Sequence, residues 1–148
     1  MATLGKTAGA LFWMFRYLER SENLARLVEA GLRMSLTRGE TAVQEWRSVL
    51  ATVDMRDAFE ATEQAYDPLH VVNFLLRGRT HGGSVLSMLE AARDNARRAR
   101  TAITREVWEA TNECFINIRS ALARPLREAD LPQVLGMMGG LDVGPATD

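Results

Sequence analysis

The sequence predicts an all-α fold, a bundle of about six helices built around a long amino-terminal one. Three observations carry this reading. Apolar residues recur at spacings of three and four through most of the chain. No segment alternates with period two for long enough to form a strand. Residues that start helices (Asp67-Pro68, Ser84, Thr104) and residues that stop them (Gly39, Gly78, Pro125) fall between the periodic segments.

Taken in order, Thr3 or Thr7 can cap a first helix running to about Met34. At about 100° per residue, Met14, Tyr17, Leu18, Ser21, Ala25, Val28 and Leu32 share one face of it. Against a mean helix of about 11–12 residues, a helix this long spans a whole domain. Thr41 to Val53 reads as the second helix, with Trp46, Val49 and Leu50 inward. Asp54 is the expected cap of a short third helix to Gln64. Asp67 caps a fourth, with Pro68 in its first position and Val71, Val72, Leu75 and Leu76 buried. Ser84 caps a fifth to about Arg100, whose stripe is Val85, Met88, Leu89, Ala92, Ala96, Ala99 and Ile103. Its alanines let another helix approach closely. Thr104 opens a sixth, with Val107, Trp108, Thr111, Cys114, Phe115, Ile118, Ala121 and Leu122 inward. The first helix is expected to pack on the fifth and sixth. Residues 1–124 therefore form the bundle, and 125–148 a Pro/Gly-rich tail in which Leu131 to Met138 supplies one apolar turn.

Composition narrows the function. With 148 residues, 47% hydrophobic and 25% charged, the chain is one globular domain rather than a disordered one. A net charge of −1 argues against general binding of nucleic acid. No apolar run reaches the roughly 20 residues of a membrane span. Lys6 and the apolar stretch from Ala8 to Phe15 resemble the start of a signal peptide, but Arg16, Glu19, Arg20 and Glu22 follow in helical phase without a cleavage site. One cysteine, Cys114, allows no intrachain disulfide and fits a reducing, cytoplasmic setting. Cys114 lies on an apolar face without a basic neighbour and reads as a small buried hydrophobe. Neither His70 nor His81 has the Glu-x-x-His spacing of a di-iron bundle, so no metal and no cofactor are expected.

The residues that stand out are on the first helix. Phe12, Arg16, Arg20, Asn23 and Leu27 are spaced 4, 4, 3 and 4, a stripe apolar at both ends and cationic in the middle. Glu19 lies within reach of Arg16 and Asn23. A charge caught between apolar neighbours must be paired, so the stripe predicts a partly buried Arg/Glu/Asn network. A solvated face held by weak local pairs is the alternative, and is the expectation for Glu22–Arg26 and Glu29–Arg33. Arg93, Arg97 and Arg100 share a face of the fifth helix, where they can answer Glu90, Asp94 and Glu19; Asn95 faces inward and can join Asn23. The turn Arg79 to Ser84, with His81 and two glycines before a capped helix, is a weaker candidate for an anion site; a flexible connection with a capping serine is the plainer alternative.

The run Leu11-Phe12-Trp13-Met14-Phe15-Arg16-Tyr17-Leu18-Glu19-Arg20-Ser21-Glu22-Asn23-Leu24-Ala25-Arg26 resembles the signature of the bacterial alpha-E family, named for its helices and its Glu-Arg pair. Met34-Ser35-Leu36, Glu45 to Leu50, Val72-Asn73-Phe74-Leu75-Leu76, Ser84 to Ser87, Ala91 to Arg97 and Thr104 to Asn112 match in order, so the resemblance runs from Thr7 to Leu122. It implies an all-α domain of no established activity, encoded beside ATP-grasp-like ligases and transglutaminase-like proteins, and so a part in making or modifying a peptide. It also implies a tandem of two Glu-Arg units, of which this sequence carries one. The turn before the fifth helix departs from the family's acidic, Asn-Pro-like pattern.

Two functions follow as expectations. The first is a non-catalytic helical protein that docks on a ligase or transglutaminase-like partner, with Arg16, Glu19, Arg20, Asn23, Arg93 and Asn95 as a polar centre. The second is an enzyme or peptide-binding subunit in which Arg16 or Arg20 grips a carboxylate and Glu19 serves as acid or base. Exposure discriminates between them: a sealed cluster favours the first, an open cleft the second. A lone unit would leave apolar surface uncovered, which a homodimer would bury; the apolar turn from Leu131 to Met138 is expected either to join that contact or to cover the face within the same chain.

Overall fold

The computed structural model describes residues 2–37, 42–79 and 82–139. Seven α-helices follow one another: α1 (Ala2–Thr37), α2 (Ala42–Thr52), α3 (Arg56–Glu60), α4 (Pro68–Arg77), α5 (Val85–Arg98), α6 (Arg105–Ala121) and α7 (Leu131–Gly139). A single 3₁₀ turn, Glu128–Asp130, precedes α7. The described residues contain no strand. The fold is the expected all-α bundle with one helix more, and α1 begins before either threonine expected to cap it.

The caps explain most boundaries. The Asp67 carboxylate accepts from the backbone N–H of Leu69 at 3.0 Å, and Pro68 fills the first position, where no N–H is needed. Ser84 and Thr104 accept from Ser87 and Val107, each at 3.2 Å, and start α5 and α6 in the same way. Asp54 plays a different part from the one its sequence position suggests. Its φ of 58° is left-handed. Its N–H bonds Ala51 at 3.1 Å while that of Met55 bonds Leu50 at 2.8 Å. That is the Schellman closure of α2, with buried Met55 and Leu50 as its apolar contact. α3 starts after Met55 instead.

The central contact is α1 against α5, antiparallel, the most extensive between any two helices. Met14, Leu24, Ala25, Val28 and Leu32 of α1 are buried, as are Val85, Met88, Leu89, Ala92 and Ala96 of α5 and Ala99 just after it. Ser21 is buried among the apolar residues because its hydroxyl donates to Leu18 O at 2.8 Å and needs no other partner. Helix α6 packs on α5 rather than on α1, and α7 lies against α1. Val107, expected inward, is consequently exposed.

The segment after Pro125 joins the same core. Leu126 and Val134 are buried. Asn73 on α4 ties this segment down: its Oδ1 accepts from Leu126 N–H at 2.6 Å, and its Nδ2 donates to Leu126 O at 3.1 Å. Arg77 donates from Nε to Leu122 O at 3.0 Å, holding the end of α6 to α4. Up to Gly139 the residues read as a tail are thus part of the packed unit.

At 1.5 Å per residue α1 is about 54 Å long and α5 about 21 Å. The first helix outruns its partner, and its amino-terminal half is left open on the outer side. Leu4, Phe12 (60% exposed) and Phe15 (53%) face solvent there.

Candidate functional site

The stripe on α1 is not sealed. Arg16, Glu19, Arg20 and Asn23 are all exposed, and no hydrogen bond or ion pair joins them among the described residues. The partly buried network expected from their apolar neighbours does not form. The reason is geometric: the stripe runs along the flank and outer side of α1, where α5 and α2 leave room, and this helix carries the partly buried pair Glu22–Arg26 and the solvated pair Glu29–Arg33.

Arg20 and Asn23 instead line an open cleft of about 490 Å³. Leu24 and Leu27 of α1, Met88 of α5, and Val53 and Met55 after α2 form its apolar walls. Thr52 and Gly83 complete the lining. The cleft lies where α1 meets the Schellman turn that ends α2 and the start of α5. Its volume is that of a small-ligand site, and a single guanidinium beside apolar walls suits a carboxylate attached to an apolar group.

The remaining candidates lie apart from it. Glu19 is one residue before Arg20, about 100° around the helix, and is not part of the cleft lining. Arg93 turns towards α6, where Nε donates to Asn112 Oδ1 at 2.8 Å and the guanidinium lies 4.9 Å from the centre of the Phe115 ring. Asn95 donates to Ala91 O at 2.8 Å and does not meet Asn23. Arg100 lies over the Trp108 ring, 5.4 Å from its centre. Of the turn before α5, Arg79 pairs with Glu90 at 3.3 Å in the open. The Ser84 hydroxyl is engaged in the cap and donates to Ser87 Oγ at 2.9 Å. His81 lies outside the described residues. Cys114 is half-buried, and desolvation pushes its thiol up to about 11, so it is protonated near neutrality and a poor nucleophile.

A family model described as Alpha-E, a predicted alpha-helical domain with a conserved ER motif, matches residues 3–139. The chain belongs to the Alpha-E family. Glu19-Arg20 is the Glu-Arg pair to which the resemblance pointed, and in this Alpha-E chain the pair is divided between two surfaces. No curated protein and no solved structure matches the chain. Asn73 and Arg77, which close the fold, were not singled out from the sequence. A polar residue at the edge of the apolar face of α4 was the available signal. No helix among the described residues is long and apolar enough to cross a membrane.

Proposed function

We propose that this Alpha-E chain is a non-catalytic, peptide-binding accessory protein of a peptide-synthesis or peptide-modification system in the cytoplasm. Its cleft receives a peptide carboxylate at Arg20 and the adjoining apolar side chain between Leu24, Leu27 and Met88. The observation that carries this is the opening of the motif arginine onto an apolar-walled cleft. Openness was the property that separated the two expectations, and it favours peptide binding over a sealed polar centre. Among the described residues the cleft lining supplies no carboxylate, imidazole, thiol or amine for acid–base or nucleophilic chemistry, which supports binding without catalysis.

Glu19 shares the outer side of α1 with Phe12 and Phe15, whose exposed rings supply the apolar anchors of an interface. That side is the proposed dock for an ATP-grasp-like ligase or transglutaminase-like protein, the partners that the family resemblance implies. Without such a partner the same face pairs two copies of the chain. Calorimetric titration with a short peptide ending in leucine tests the cleft. The free acid is expected to bind and its C-terminal amide to bind at least about tenfold more weakly, a difference that Arg20→Ala removes. Equal binding of acid and amide by the unaltered protein refutes the assignment.

A further inference from the structure

A second cleft, of about 550 Å³, lies where the start of α1 passes the end of α5. It shares no lining residue with the Arg20 cleft. Along α1 the two are separated by about 10 Å, the rise from Trp13 to Arg20. Lys6 and Arg98 stand on opposite walls, one from each helix. No acidic residue lines the cleft, and neither cation is ion-paired among the described residues. Two unopposed cations facing one hollow form a focus of positive potential in a chain whose net charge is −1.

The other walls are of a different kind. Trp13 is 43% exposed, yet its ring is held in place, with Phe12 edge-on at 5.4 Å and Tyr17 tilted at 5.7 Å. Ala10 is a small, buried apolar contact beside it. Asn95 spends one amide N–H on Ala91 O and keeps an N–H and an oxygen for a ligand. Gly9 lines the cleft next to Ala10. Glycine inside a helix is unfavourable unless the backbone or a close neighbour requires it. Here φ is not positive, and a Cβ at Gly9 would meet nothing within 4 Å. The missing side chain leaves the hollow open.

We infer that this cleft binds a small organic anion carrying a flat ring. Its anionic group sits between Lys6 and Arg98, its ring lies against Trp13 over Gly9 and Ala10, and Asn95 reads a polar edge. A carboxylate and a phosphate monoester both have this chemistry, so the test uses one of each: benzoate and adenosine monophosphate. Sulfate is the control without a ring, and adenosine the control without a charge.

Calorimetric titration of the full chain is expected to give saturable binding of at least one ringed anion below about 1 mM, with both controls at least about tenfold weaker. Gly9→Leu fills the hollow and abolishes binding. It leaves the circular dichroism spectrum helical and the melting temperature no lower, because leucine favours helix over glycine. Arg98→Gln weakens binding about tenfold, and Arg20→Ala leaves it unchanged. No saturation by about 10 mM of either ringed anion overturns the inference. So does wild-type affinity in Gly9→Leu, and so does sulfate binding as tightly as the ringed anions.

Discussion

Gly31→Ala is predicted to destabilise the protein, against the ordinary preference of helices. Gly31 is buried on α1, and a Cβ built there would stand 2.9 Å from Cζ3 and 3.0 Å from Cη2 of Trp46. Trp46 is fully buried on α2, so its ring cannot swing into solvent. In a helix interior, replacing glycine by alanine normally stabilises by about 1 kcal/mol. Overpacking a well-filled core costs about 1–3 kcal/mol. The net expectation is a loss of roughly 0–2 kcal/mol, or up to about 8 °C in melting temperature at about 2–4 °C per kcal/mol for a chain of this size. Gly9→Ala is the matched control, since its methyl enters open space and the full gain of about 1 kcal/mol should appear. Thermal and urea unfolding of both variants measure the difference, and Trp46→Phe in the Gly31→Ala background tests its cause. Shrinking the ring should recover part of the loss, although it also removes an indole whose buried Nε1 has no hydrogen-bond partner among the described residues. Equal stabilisation by the two glycine substitutions would show that the Gly31–Trp46 contact does not limit packing.

Arg20→Ala and Arg26→Ala should both shift stability by less than about 0.5–1 kcal/mol, because both arginines are exposed; only Arg20→Ala should lose peptide-acid binding. A large melting shift for Arg20→Ala alone would restore the buried network expected from sequence. Asp54→Gly should stabilise by about 0.5–1 kcal/mol, since aspartate at φ 58° bears a left-handed cost that glycine avoids; urea midpoints decide it. The Cys114 thiol, raised from 9.0 to about 11 in the folded chain, ionises first in the unfolded one. Above pH 9 the unfolded state therefore holds fewer protons, and stability should fall between pH 9 and about 11. Cys114→Ala should flatten that slope in melts taken across the range. Phe12→Glu with Phe15→Glu should yield a monomer of 16.5 kDa by sedimentation equilibrium at concentrations where the unaltered chain is a dimer. A parent chain that is monomeric at micromolar concentration refutes the pairing.

The sequence by itself determined the helical architecture, because periodicity and capping are local. Asp67-Pro68, Ser84 and Thr104 each mark a helix start through a hydrogen bond made two or three residues away, so no long-range information was needed. The motif pair Glu19-Arg20 was legible for the same reason, as was the buried alanine stripe of α5. Asp54 was misread because an aspartate before a short helix fits a cap and a left-handed helix end equally well, and only the bonds to Leu50 and Ala51 separate them. The fate of the charged stripe was decided by tertiary structure alone. Phe12 and Leu27 at its ends implied burial, but exposure depends on where neighbouring helices stop. Arg16 and Glu19 lie on the side of α1 that no neighbouring helix covers and face solvent, whereas Arg20 looks into a cleft between α1, the end of α2 and the start of α5. Asn73 and Arg77 reach residues 53 and 45 positions away, and no local pattern encodes a partner at that distance.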